Sequence, residues 1–146
     1  MPVTYDVIED GTVVLEYWRG AVTRDDIMAH EHRHLMDARI SPGASVLVDA
    51  REAHFGITHE EVRDIVDGLY AGFRHTLRIK QCAIVVNSQT YPVAQAYEKS
   101  ARTYDISAIA FSDLGIACTW LGLDAMMIKS HLERIKKVPV ALPQDI

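Results

Sequence analysis

The feature that most constrains this chain is a pair of nearly unbroken apolar runs, Ser45-Val46-Leu47-Val48 and Ile79 to Val86. Apolar residues that run continuously, instead of alternating with polar ones, mark strands covered on both faces, as in the interior of a parallel sheet. The first run ends on Asp49. About eight residues later a helix begins at Thr58-His59-Glu60-Glu61, which fits a capping box: the Thr58 hydroxyl accepts from the Glu61 amide and Glu61 reaches back. Val62, Ile65, Val66, Leu69, Tyr70 and Phe73 then follow at helical spacing. A strand that ends on a carboxylate and feeds a capped helix is where open α/β sheets place binding sites.

The remaining elements are built around these strands. Tyr5–Ile8 and Thr12–Trp18 are β-rich runs joined through Glu9-Asp10-Gly11, a hairpin signal. A first helix is expected from Thr23, with Asp25 and Asp26 in its first turn, to about Arg39, before the turn cluster Ser41-Pro42-Gly43. Thr90-Tyr91-Pro92 opens a third helix, with proline near its first position. Ile106–Phe111 reads as a fifth strand. Ser112-Asp113 caps a short helix stopped by Gly122, and Asp124 caps a last helix that fades at Lys136-Lys137. The expected architecture is α/β: a five-stranded mixed sheet, mostly parallel, with an N-terminal β-hairpin, right-handed crossovers and helices mainly on one face. The C-terminal helices or a second chain must cover the other face. Residues 1–137 are expected to form one domain, and 138–146 a loose tail.

Composition narrows the function. The 146 residues carry a net charge of −5, which argues against nucleic-acid binding. The charge is uneven, with 6 Arg/Lys against 14 Asp/Glu in residues 1–73 and 9 against 6 in residues 74–146. That asymmetry suits the steering of a charged partner or the orientation of protomers in a dimer, or simply reflects differing helix surfaces. No apolar run approaches the length of a membrane span, and the N-terminus lacks a signal-peptide pattern, so a cytoplasmic protein is expected. Cys82 and Cys118 lack metal or redox spacing and read as small core residues.

Candidate chemistry centres on the exit of the third strand: Asp49, Arg51, His54, Phe55 and Thr58. Asp49 can hold the following loop through backbone N–H groups, or serve as a base or ligand anchor. Arg51 can pair with Asp49 or bind an anion. His54 and Phe55 are expected on the loop Glu52 to Ile57, as a contact surface. His30 and His34 are spaced i,i+4 on the first helix, a spacing able to chelate a metal, but a third ligand is not evident and the HExxH pattern is absent. They read as a solvated helix flank, and neither a metal nor another cofactor is expected. Glu31, on the Ile27/Leu35/Ala38 stripe, needs a partner. Gly68 and Gly72, one turn apart, suggest a close backbone approach. No GxSxG elbow, P-loop or GxGxxG occurs.

The hairpin, the strand ending in Val48-Asp49-Ala50-Arg51, the loop Glu52 to Ile57, the helix from Thr58, and the later Phe111-Ser112-Asp113 and Trp120-Leu121-Gly122 together resemble the small bacterial SpoIIAA-like proteins of the STAS type (sulfate transporter and anti-sigma factor antagonist domains). These share a fold with Sec14-type lipid-binding domains. The resemblance spans nearly the whole chain in element order. It implies a non-catalytic protein-interaction module, as a homodimer with an unknown protein partner. The alternatives are a carrier of a small apolar or lipid-like ligand, or a small enzyme centred on Asp49, Arg51 and His54. Thr58 stands where the antagonists carry a phosphorylatable serine, but without their Asp-Ser pair or following glycine, and it reads as an N-cap.

Overall fold

The computed structural model describes residues 2–137, so the expected tail from 138 lies outside the described residues. The apolar runs form the interior of a five-stranded sheet ordered β1-β2-β3-β4-β5. Strand β1 (Val3–Ile8) pairs antiparallel with β2 (Val13–Val22). Strands β3 (Ala44–Phe55), β4 (Ile79–Val85) and β5 (Ser107–Phe111) continue the sheet in parallel. The β1–β2 turn is a 3-10 turn at Glu9–Gly11. Gly11 has φ +88°, and a Cβ there would collide with the Arg39 carbonyl, so both backbone and space require glycine.

Among the described residues there are five α-helices: α1 (Arg24–Leu35), α2 (His59–Tyr70), α3 (Tyr91–Arg102), α4 (Leu114–Leu121) and α5 (Ala125–Lys136). The period-2 pleat sorts the strand side chains into two cores. Val14, Trp18, Val46, Val48, Cys82 and Ile84 face α1, α2 and α3. Leu15, Tyr17, Leu47, Ala83 and Val85 face α4 and α5 through Ala117, Cys118, Ile128 and Leu132. The chain thus covers both faces of its own sheet, three helices on one side and the two C-terminal helices on the other. The β4 strand is interior, with β1 and β5 at the edges.

Four local expectations are corrected. Helix α1 stops at Leu35, not near Arg39. Strand β3 does not end at Asp49. It runs to Phe55, because the second half of β2 pairs with it (Arg19 to Val22 against Glu52 to Phe55) after a register shift between Tyr17 and Arg19. The segment expected as a loop is therefore ladder, with a bulge beside Asp49. A Cβ at Gly68 or Gly72 would meet nothing within 4 Å, so no close approach occurs there. Finally, His30 and His34 are not a solvated flank: they are only 1% and 8% exposed.

Candidate functional site

Each residue singled out at the β3 exit has a definite place. Asp49 is fully buried, facing α5. Its two oxygens accept from Arg51 Nε and Nη2, both at 3.0 Å, and Lys136 Nζ lies 3.5 Å away. Burial pushes the Asp49 carboxyl up, but hydrogen bonds and charge from Arg51, with Lys136 behind, outweigh it and hold the group below its ordinary value. The Arg51 backbone N–H also donates to Asp49, at 3.2 Å. Thr58 caps α2 through the full box: its hydroxyl accepts from Glu61 N at 3.1 Å, and Glu61 Oε1 accepts from Thr58 N at 3.0 Å. His54 is exposed on β3. Phe55 is half-buried against Trp18, with ring centroids 5.7 Å apart. The structure brings Asp49 and Arg51 together but sets Phe55 elsewhere, on the side of α1–α3, where it lines a cavity.

That cavity, about 110 Å³, lies between the sheet and α1, α2 and α3. Val46, Val48, Cys82 and Ile84 form its floor, and Val62, Ile65, Val66, Val93 and Ala94 its helical wall. A wider depression of about 320 Å³ lies on the opposite side, by Arg51, Asp113, Lys129 and Lys136. Its Arg51 and Lys136 already pair with Asp49, and Lys136 also lies 3.7 Å from Glu52. The inner cavity is the better candidate site because apolar walls with a few convergent polar groups are the usual composition of a small-molecule site.

The polar groups converge at one end. Glu16 points between Val14 and Trp18 toward α1, and its carboxylate is only 7% exposed. Oε1 accepts from Trp18 Nε1 at 3.0 Å, while Oε2 meets His30 Nε2 at 3.1 Å and His34 Nε2 at 3.4 Å. The two imidazole contacts are ion-pair approaches, off the line of a straight N–H hydrogen bond, and His30 Nδ1 has no partner among the described residues. Burial drives the Glu16 carboxyl up, yet the charge and contact of His30, the charge of His34 and the Trp18 N–H outweigh it and bring it to about 2. Burial likewise drives His30 down, and the Glu16 charge reverses this to a net rise. Beside them Glu31 Oε2 accepts from Tyr70 OH at 2.7 Å, and Tyr70 OH lies 2.9 Å from Tyr97 OH. Burial raises both phenols well above their ordinary value, with the Glu31 charge adding to it. Glu31 thus has the partner its position requires.

Glu16 carried no signal in isolation. It is the one charged residue in the run Val13 to Trp18, which is buried on both faces, and its parity with Val14 and Trp18 puts it on the α1 side. Buried partners at i and i+4 on α1 were the available hint. Both histidines close on one oxygen of Glu16, and among the described residues no group of three or more His, Cys, Asp or Glu is arranged to hold a metal ion. No helix among them is long and apolar enough to cross a membrane.

No protein-family model matches the sequence, and no curated protein matches it. Among solved structures, the chain is similar to an uncharacterised protein of the DUF3478 family with a SpoIIAA-like fold, from Shewanella loihica PV-4. The two are 19% identical, with a TM-score of 0.51 over 82% of this chain and 91% of that one. The likeness establishes a SpoIIAA-like α/β fold.

Proposed function

We propose that this protein is a non-catalytic binding module that holds a small, largely apolar molecule between the sheet and α1–α3. The observation that carries this reading is the cavity of about 110 Å³ in the middle of the larger core. Space left unfilled beside apolar walls forgoes packing contacts, which a fitted ligand restores. The Asp49–Arg51–Lys136 cluster supports a structural role for the β3 exit, since its charges are spent on one another. A protein-contact role in the manner of STAS domains is the second reading, favoured by the edge of β5, which has no neighbouring strand among the described residues and where Ile109 is exposed. Helices α4 and α5 cover the second face of the sheet, the role for which the C-terminal helices or a second chain are the alternatives.

Native mass spectrometry of the untagged protein tests both readings, reporting any co-purified small molecule and the oligomeric state together. Titration with a solvatochromic apolar dye adds a quantitative arm. Val93→Phe, which projects a ring into the void from α3, should weaken dye binding at least tenfold while leaving the melting temperature unchanged or higher. Unaltered dye binding in a folded Val93→Phe variant would place the apolar site elsewhere.

A further inference from the structure

We propose that the polar end of the cavity selects an uncharged apolar molecule bearing a hydroxyl group. The inference rests on the reading that the cavity holds a ligand, and it specifies the ligand's chemistry. Glu31 and His34 lie three residues apart on α1 and are therefore neighbours on one helix face, and both line the cavity.

Their hydrogen-bonding capacities are complementary and unfilled. Tyr70 gives its proton to Glu31 Oε2, so Tyr97 must donate to Tyr70. Both phenolic protons are then committed. Glu31 Oε1 and a Tyr97 lone pair remain without a partner among the described residues, and both are acceptors. On the donor side, His34 Nε2 is buried and lacks a straight hydrogen bond. It approaches Glu16 Oε2 at 3.4 Å, an oxygen already met more closely by His30, so its N–H is only partly satisfied.

A hydroxyl donates once and accepts as well, so a single group can answer both sides. A carboxylate has no proton to give and brings its charge against Glu16 and Glu31. An ammonium answers the acceptors but offers nothing to His34, and a pure hydrocarbon leaves every polar group as it was. The cavity is of the order of the ~150 Å³ void known to admit benzene, which sets the scale at a single ring or a short chain.

Isothermal titration calorimetry of the intact protein at pH 7 with p-cresol, toluene, benzoate and benzylamine tests the selection. The expected result is p-cresol at least tenfold tighter than toluene, with both ions weaker than toluene. Glu31→Met, verified as folded by circular dichroism, should cut the p-cresol advantage over toluene below threefold. Tyr97→Phe keeps the ring, serves as the second variant if Glu31→Met misfolds, and should lower the same advantage severalfold. Equal binding of p-cresol and toluene, or tightest binding of either ion, would overturn the hydroxyl preference while leaving the apolar cavity standing. No binding by any probe at millimolar concentration would overturn both.

Discussion

Glu16 lies mid-strand between Leu15 and Tyr17, which face the α4–α5 layer, and its own carboxylate meets two imidazoles on α1. The pH dependence follows from the directions of the shifts. The Glu16 carboxyl falls from 4.5 to about 2, so its contribution to stability is fully present above about pH 4.5 and is lost as pH falls toward 2. The His30 imidazole rises above 6.5, so its contribution is fully present below pH 6.5 and is lost as pH rises through its folded value. Both act together between about pH 4.5 and 6.5, and thermal melts across pH should peak there. Glu16→Gln leaves buried imidazole nitrogens without a charged partner. It should cost about 1–3 kcal/mol and flatten the peak in a urea-unfolding series at several pH values. An unchanged pH profile would separate stability from this cluster. Zinc added to untagged protein should leave the melting temperature unmoved, because the imidazoles close on a carboxylate. A stoichiometric stabilisation lost in His34→Ala would reverse that expectation.

At the scale of elements, α1 and α2 reach the sheet by different means. Helix α2 buries Val62, Ile65, Val66 and Tyr70, whereas the buried residues of α1 are His30 and His34 alone. Ile27 and Leu35 of α1 are only partly buried, so α1 loses less apolar burial on opening and should lead in amide hydrogen exchange, ahead of α2 and α3. Protection of α1 equal to that of α2 would show that the histidine contacts hold as firmly as aliphatic packing. Helix α2 also depends on its start. Thr58→Ala removes the cap and should cost about 0.5–2 kcal/mol in chemical denaturation, while Thr58→Ser keeps the hydroxyl and should cost much less. Equal losses for both variants would detach the effect from the hydroxyl.

At the scale of the whole molecule, the two cores differ in quality. The α4–α5 side buries Leu15, Leu47, Ile128 and Leu132 almost completely, and the α1–α3 side carries the cavity. Leu132→Ala should therefore cost about 2–5 kcal/mol, a close-packed truncation, while Val93→Phe on the other side should cost little or nothing. Comparable losses from both would mean that the two cores are packed alike.

Periodicity and turn chemistry alone determined the element order, the central parallel strands, the hairpin, the capping box at Thr58, the proline-led α3 and the Gly122 stop, because each is written in neighbours within a few residues. The Asp49–Arg51 pair was legible for the same reason, two residues apart on one strand. The extension of β3 to Phe55 was not, since it depends on the far half of β2 across the ladder. Nor was the candidate cavity: Glu16, His30, Glu31, Tyr70 and Tyr97 come from β2, α1, α2 and α3, and no local pattern couples them. A lone glutamate in a strand and histidines on a polar-looking helix become buried partners only when crossovers bring α1 over that face of the sheet. Burial is a property of the assembled layers, and only the tertiary structure decided which polar side chains would be enclosed together.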